Sequence, residues 1–207
     1  YSDILFALGE KTASMVEKLG GKVKKILPVG SLFMERDLFH RKFDNIFFSY
    51  DMLVFASNHI GNFHSGYNSY HDDYYLHFEW IKRFSKEYPN FKIGIKLKKI
   101  LKDPKVKEIF SNTRNVEFLI DKSSDWSDTY FLAEKAKSLC TWSSTLGFEF
   151  IGCGKECYFL DPEKRNISFL PNENYLVSAK VKEYNEFRDK MLKLINGEKN
   201  MEIIKNK

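Results

Sequence analysis

Short apolar runs alternate along this chain with longer segments in which apolar residues recur every three or four positions. Continuous apolar runs are typical of strands that are buried on both faces, and the longer period is typical of amphipathic helices. Regular alternation of the two predicts a parallel sheet covered by helices. We therefore expect an α/β protein with a Rossmann-like parallel sheet and helices on both faces.

Eight segments have the pattern of strands. The clearest is "DMLVFAS", a continuous apolar run that leads into a polar, glycine-containing loop. The segment "YLVSA" is short and follows a loop, so we expect it at an edge of the sheet. The predicted strands are residues 3–8, 22–30, 51–57, 91–98, 116–120, 139–142, 156–161 and 175–179.

Helical periodicity is strongest in two segments. Residues 70–87 carry an apolar stripe at spacings of three and four, formed by Tyr74, Phe78, Ile81 and Phe84. Residues 181–195 carry a second stripe, formed by Tyr184, Phe187, Met191 and Ile195. The basic face of this last helix leaves a membrane-surface role open, although packing against the core is the commoner use of such a stripe. Further helices are predicted over 10–20, from Lys105, over 129–138 and from about Thr145.

Length and cysteine content limit the organisation of the chain. The 207 residues suffice for one sizeable α/β domain, which we place at 1–196 with a frayed tail at 197–207. The chain starts at Tyr1 without a Met, so we expect a partner domain on its N-terminal side to be missing. Cys140, Cys153 and Cys157 lack the two-residue spacing of zinc and redox sites, which favours buried thiols in a reducing, cytoplasmic compartment.

Charge narrows the range of partners only slightly. There are 33 basic and 28 acidic residues, a formal net charge of +5. This mild excess is compatible with anionic ligands or with peripheral contact at the inner face of a membrane, and it does not predict nucleic-acid binding. No run of about 18 apolar residues occurs, so no membrane-spanning helix is expected.

Three hydroxyl side chains stand together where a strand is predicted to end and a helix to begin. They are Ser143, Ser144 and Thr145, and Glu149 lies on the same helix face as Thr145, about 6 Å further along the axis. A helix start with its free N–H groups binds phosphate, and a carboxylate one turn further can accept the hydroxyls of a ribose. In a capping box, Glu149 would pair with a Ser or Thr three residues earlier, but position 146 is a leucine, so a capping box does not explain Glu149. Simple capping with a surface glutamate stays the alternative.

The loop after the clearest strand contains a second group of polar residues. Asn58 and His59 follow that strand directly, and Gly61 allows unusual backbone angles. Four histidines and two aspartates occur between residues 57 and 77, but their spacing fits no common metal motif, and we expect no metal. A loop that contacts a ligand and a merely polar surface loop are the two interpretations.

Two lysines in "IGIKLKK" form a third candidate element. Lys96 and Lys98 share one face of a predicted strand, near its carboxyl end. A lysine there can reach a phosphate as a point charge. Alternatively, both lysines face solvent on an edge strand and protect it from aggregation.

These elements in this order resemble the C-terminal, donor-binding domain of glycosyltransferases with the two-domain GT-B fold. The likeness is strongest to enzymes of bacterial surface and capsule polysaccharide synthesis, and "SSTLGFEFIGCGKECYFLD" is its specific part. The resemblance implies that Ser143, Ser144 and Thr145 contact donor phosphates and that Glu149 contacts the ribose. It adds Lys96, Lys98, Asn58 and Gly61 to a nucleotide-sugar site that uses no metal or other cofactor, and it implies a glycan or lipid-linked acceptor.

The chain departs from that family at two points. Many relatives have Lys-Pro-His-Pro where this chain has "KLKK", so the usual histidine is missing. His59 is a candidate base, because a histidine has an ordinary pKa of about 6.5, and a loop histidine that only hydrogen-bonds the donor is the alternative. The N-terminal domain of the family is absent, so we expect this chain to bind donor without efficient turnover. A nucleotide-sugar epimerase of the same fold and a non-catalytic binding module are the alternatives. The glycine motif of dehydrogenases and the nucleophile elbow of serine hydrolases are both missing.

Overall fold

The protein is seen in a computed structural model that describes residues 2–7, 9–31, 49–56, 71–97, 104–120, 127–142, 144–152, 154–164 and 179–198. Its contacts divide the chain into two compact units, Tyr1–Asp44 and Asn45–Lys207. Each unit is described by itself. The single domain expected over 1–196 and the tail expected over 197–207 stay predictions.

The first unit is a strand, a helix and a second strand. Strands β1 (Ser2–Ala7) and β2 (Val23–Pro28) pair in parallel, and helix α1 (Glu10–Lys18) connects them. All three elements match predicted segments. Several large apolar side chains are exposed in this unit: Ile4, Phe6, Met15, Leu19 and Val29.

The second unit is built on a six-stranded sheet in the order β5-β4-β3-β6-β7-β8, with every neighbouring pair parallel. Its strands are β3 (Tyr50–Phe55), β4 (Ile93–Leu97), β5 (Val116–Ile120), β6 (Ala136–Thr141), β7 (Cys157–Leu160) and β8 (Lys180–Val181). Its helices are α2 (His71–Glu87), α3 (Pro104–Ile109), α4 (Ser127–Glu134), α5 (Thr145–Gly152) and α6 (Tyr184–Ile195). The predicted Rossmann-like α/β fold is confirmed.

Alternating side chains of the inner strands serve two separate layers of helices. In β3, Met52 and Val54 join a large core cluster with residues of α2, α3 and α6. Phe55 points to the opposite side, where its ring stacks on Phe150 of α5 at 5.7 Å. We call these two sides the α2 face and the α5 face. Helices therefore cover both faces of the sheet, and burial on both faces explains why the inner strands are continuous apolar runs.

Helix α2 packs along the sheet through the stripe that its sequence predicted. Tyr74, Phe78, Ile81 and Phe84 are all buried in the core cluster. The turn that follows the helix is held by the side-chain amide of Asn115, which donates hydrogen bonds to backbone carbonyls of the α2 end and of the segment leading into β4: Ser85, Tyr88 and Phe91. This contact fixes the spacing between α2 and β4.

Helix α6 packs on the same face through most of the stripe that its sequence predicted. Phe187 and Met191 are fully buried in the core cluster, and Tyr184 is nearly so. The Tyr184 hydroxyl donates a hydrogen bond of 2.7 Å to Glu87 at the end of α2. Packing against the core is therefore confirmed for these positions. The prediction was wrong for Ile195, which is 46% exposed.

The predicted boundary between α4 and β6 is wrong. The helix expected over 129–138 ends at Glu134, and residues from Ala136 onward form β6. The helical propensity of "AKS" is overridden because Ala136 and Ser138 pair with Tyr50 and Met52 of β3 in the parallel ladder. At the far edge, residues 175–178 of the expected last strand lie outside the described residues, and the described edge strand is β8.

The cysteines behave as the sequence predicted where they are described. Cys140 and Cys157 are free and buried, and burial raises the pKa of both thiols. Cys153 lies outside the described residues. Within the described ranges, no helix is long and apolar enough to cross a membrane.

Lys155 connects the two helices of the α5 face. It follows Gly154, whose φ of 77° lies in the left-handed region that ends many helices. The Lys155 ammonium donates to the backbone carbonyl of Glu134, at the end of α4, over 3.2 Å. Burial lowers the pKa of Lys155 to about 8, against an opposing effect of the Glu134 charge. The protonated lysine thus loses part of its hydration, and its ammonium caps the end of α4.

This lowered pKa predicts how stability depends on pH. Between pH 8 and about 10.5, the unfolded chain holds the Lys155 proton more strongly than the folded protein does, so the contribution of Lys155 to stability rises with pH. In Lys155→Met this contribution is absent. The unfolding free energy of the wild type relative to the variant should therefore increase from pH 7.5 to 9.5, by less than about 1.4 kcal/mol per pH unit because the ammonium is only partly buried.

Urea denaturation of both proteins at pH 7.5, 8.5 and 9.5 measures this difference. The buried thiols and tyrosines titrate in both proteins and cancel in the comparison. A difference that stays constant or shrinks as pH rises would contradict the assignment.

Candidate functional site

The candidate site lies at the edge of the sheet where the parallel strands end. Strands β3, β4 and β6 end there at Phe55, Leu97 and Thr141, and ligands of open parallel sheets bind beyond such an edge. Four predicted site residues are described: Lys96, Ser144, Thr145 and Glu149. Five predicted site residues lie outside the described residues: Asn58, His59, Gly61, Lys98 and Ser143.

Lys96 is a buried cation on an inner strand. Strand β4 lies between β5 and β3, and Lys96 is only 4% exposed. Its register partner is Phe55, so its side chain leaves the sheet on the α5 face, one residue before β4 ends. The alternative of a solvent-facing lysine on an edge strand is therefore wrong for Lys96. A charge is rarely buried unless it is paired or used, because removal from water is costly.

Helix α5 starts at Thr145, as predicted, and Ser144 caps it. The Ser144 hydroxyl accepts a hydrogen bond of 3.3 Å from the N–H of Leu146, and its carbonyl accepts one of 3.1 Å from Gly147. Thr145 is exposed at the first helical position. Capping is thus the role that these contacts show for Ser144. Binding of a phosphate by the same hydroxyl stays a prediction. It is compatible with the cap, because the hydroxyl oxygen accepts from Leu146 while its own proton is available to donate to a phosphate.

Glu149 has a partner that its sequence context does not suggest. The hydroxyl of Tyr130, in the first turn of α4, donates a hydrogen bond of 2.9 Å to Oε2 of Glu149. Tyr130 is only 4% exposed, and its ring lies 5.7 Å from the ring of Phe150. Glu149 itself is partly exposed. The carboxylate is therefore held in place by a phenol that has little freedom to move.

Aromatic packing connects Glu149 to the strand that carries Lys96. Tyr130 packs on Phe150, Phe150 stacks on Phe55 with an angle of 10° between the rings, and Phe55 is the register partner of Lys96. This series lies on the α5 face. The structure thus brings together a buried cation, a carboxylate and the start of a helix at one edge of the sheet.

Gly147 allows Phe159 of β7 to approach α5 closely. A Cβ atom on Gly147 would lie 2.5 Å from an atom of the Phe159 ring. The missing side chain therefore serves packing between helix and sheet.

The histidine cluster of the sequence is described only at its end. His77 is fully buried on the α2 face, where its ring stacks on Trp142 at 6.5 Å and lies 5.1 Å from Tyr74. Within the described ranges, no three His, Cys, Asp or Glu side chains are grouped to hold a metal ion. Most of the loop that holds the other histidines lies outside those ranges, so the expectation of no metal stays a prediction.

A cavity of about 350 Å³ lies at the opposite edge of the sheet, where the strands begin. Its lining includes Tyr50, Lys92, Arg114 and Glu117, and the Tyr50 hydroxyl donates to Glu117 over 2.8 Å. Burial and Glu117 raise the pKa of Tyr50 to about 12. We place the site at the carboxyl edge instead, because helices of parallel α/β units start there and direct their N–H groups toward it. Most charged groups of the cavity are also exposed.

Comparison with known proteins relates this fold to nucleotide-sugar enzymes. The chain is similar to a crystal structure of UDP-N-acetylglucosamine 2-epimerase, with a TM-score of 0.61 and 14% identity over 93% of this chain and 49% of the other. It is similar to the UDP-GlcNAc 2-epimerase of Neisseria meningitidis bound to UDP-GlcNAc, with a TM-score of 0.54 and 16% identity over 92% of this chain and 52% of the other. It is also similar to S. aureus MnaA solved with UDP, with a TM-score of 0.56 and 16% identity over 94% of this chain and 52% of the other.

The chain spans about half the length of these structures. No protein-family model and no curated protein matches it. At such low identity the likeness shows the fold alone, which is the GT-B-like, Rossmann-type arrangement that the resemblance implied.

The contact between Gly147 and Phe159 predicts opposite effects for two substitutions in one helix. Gly147→Ala should destabilise the protein by about 1–3 kcal/mol, because overpacking against the ring outweighs the gain in helix propensity of about 1 kcal/mol. Gly152→Ala is the matched control in α5. No atom lies within 4 Å of its added Cβ, so it should be neutral or slightly stabilising.

Thermal and urea unfolding of both variants test this pair. A Gly147→Ala protein as stable as Gly152→Ala would show that Phe159 moves aside without cost.

Proposed function

We propose that the unit Asn45–Lys207 binds a nucleotide-activated sugar at the carboxyl edge of its sheet and that the whole protein transfers the sugar to an acceptor hydroxyl. The observation that carries this proposal is the position of Lys96. A buried lysine near the end of an inner strand, on the face where α5 starts, is suited to an anionic ligand because it places a positive charge at the carboxyl edge. The similar solved structures support the ligand class, since one was solved with UDP-GlcNAc and another with UDP.

In the proposed reaction, the bond between the sugar and the nucleoside diphosphate breaks while the acceptor oxygen bonds to the sugar. Negative charge then grows on the departing phosphate. Lys96, the hydroxyls of Ser143, Ser144 and Thr145, and the N–H groups at the start of α5 would stabilise that charge. Glu149 would accept hydrogen bonds from the ribose. The proton of the acceptor hydroxyl passes to a base, for which His59 is the candidate within this chain.

A second candidate function is epimerisation of a nucleotide sugar. Two of the three similar structures described above are UDP-N-acetylglucosamine 2-epimerases, which favours this alternative. Incubation of the full-length protein with UDP-GlcNAc, with and without a glycan or lipid-linked acceptor, separates the two reactions. An epimer formed without acceptor supports epimerisation, and product formed only with acceptor supports transfer.

Binding of nucleotides tests the site directly. We expect at least one of UDP, CDP, CMP and GDP to bind the 207-residue chain in titration calorimetry. Lys96→Met should weaken that binding about 10- to 100-fold, the effect of losing one charge-assisted hydrogen bond. Lys137→Met is the matched control, because Lys137 pairs with Asp51 near the opposite edge of the same sheet and should leave the affinity unchanged.

If none of the four nucleotides binds, the donor-site proposal fails and a non-catalytic module becomes the better hypothesis. If Lys96→Met binds as tightly as the wild type, the phosphate lies elsewhere.

Several expectations from the sequence belong to this proposal and stay predictions. They are the glycan or lipid-linked acceptor, the missing N-terminal domain, a cytoplasmic location with peripheral membrane contact, and the absence of nucleic-acid binding. The mechanism as proposed uses no metal or other cofactor.

A further inference from the structure

The contact between Tyr130 and Glu149 joins two helices at the edge where the candidate site lies. Helix α4 follows β5 and helix α5 follows β6, so both begin at the carboxyl edge of the sheet. Tyr130 is in the first turn of α4, and Glu149 is one turn into α5. Their hydrogen bond of 2.9 Å therefore lies near the start of both helices.

We propose that Tyr130 is a positioning residue, whose hydroxyl orients the Glu149 carboxylate to accept the ribose hydroxyls of a bound nucleotide. This inference rests on the proposed function and deepens it. Tyr130 itself is buried, so it acts through Glu149 rather than by touching the ligand.

The geometry gives the phenol a fixed direction. Its ring packs against Phe150, the neighbour of Glu149 in α5, and the Phe150 ring stacks in turn on Phe55 of the sheet. A glutamate side chain alone has three rotatable bonds and loses entropy when a ligand fixes it. Binding of its Oε2 to an immobile hydroxyl removes much of that cost in advance, which is the general benefit of preorganisation.

The chemistry of the pair selects the ribose among the parts of a nucleotide. An ionised carboxylate only accepts hydrogen bonds, so it is repelled by phosphate and suited to the hydroxyls of a sugar. The two oxygens of a carboxylate can together accept about four hydrogen bonds, so one from Tyr130 and others from sugar hydroxyls are compatible. Its place one turn beyond the helix start, about 6 Å along the axis, suits a ribose whose phosphate lies at that start.

A purely structural tie between helices is the competing explanation, and the protein contains such a tie for comparison. Tyr184 donates to Glu87 over 2.7 Å and links α6 to the end of α2 on the α2 face. Glu87 is the last residue of a 17-residue helix, about 24 Å along it from the carboxyl-edge end. Tyr184→Phe removes the same chemical group from the same type of contact, away from the candidate site.

The test compares binding of UDP and of 2′,3′-dideoxy-UDP to the 207-residue chain by titration calorimetry. Another member of the nucleotide panel and its dideoxy analogue replace them if it binds more tightly. We expect the wild type to prefer the ribose form by about tenfold or more. Tyr130→Phe should weaken UDP binding about fivefold to tenfold and leave the dideoxy affinity unchanged. Tyr184→Phe should preserve both affinities.

Glu149→Gln and the double variant complete a mutant cycle. If Tyr130 acts through Glu149, Tyr130→Phe should have little further effect on UDP affinity once Glu149 is replaced. An equal loss of affinity for both nucleotides in Tyr130→Phe, or an unchanged preference for ribose, would overturn the proposal and leave a structural tie. Equal binding of the two nucleotides by the wild type would overturn it while the proposed function stands. If no nucleotide binds the wild type, both fall together.

Discussion

Parallel pairing of six strands is the constraint on which the second unit depends. A parallel strand can be reached only by a crossover, so helices must lie on the faces of the sheet and inner strands lose both faces to packing. The same pairing places the carboxyl ends of all six strands at one edge of the sheet. The core and the position of the candidate site thus have one origin, because the crossovers that bury the sheet also bring the starts of α4 and α5 to its carboxyl edge.

Polar residues on the inner strands are exceptions that show what this packing tolerates. Ser138 is fully buried, and its hydroxyl donates to the backbone carbonyl of Asp51 over 2.9 Å. That contact satisfies the hydroxyl inside the sheet and requires no ligand. Burial of Lys96 costs more than burial of a hydroxyl, because an ammonium group has three donors and a full charge to accommodate. A protein that keeps such a group on an inner strand accepts a cost in stability, and sites for anions commonly have that cost.

The two helices of the α5 face are fixed by polar contacts as well as by apolar ones. Lys155 reaches from the end of α5 to the last carbonyl of α4, and Tyr130 reaches from the start of α4 to Glu149. The aromatic series from Tyr130 to Phe55 fills the space between these contacts. Helices that are held at both ends keep the groups at the carboxyl edge in constant positions.

Sequence periodicity determined the fold class, most element boundaries and the buried stripe of α2, because period two and period 3.6 are local properties of a chain. It also placed the start of α5 at Thr145. Only the tertiary structure decided that β4 is an inner strand and that Lys96 is buried. Alternation along a strand shows which residues share a face, but it does not show which strands flank that strand or what covers the face. Likewise, no local spacing connects Tyr130 with Glu149, 19 residues away, and strand order alone made them partners. Glu149 looked unexplained in the sequence because its partner lies on a neighbouring helix.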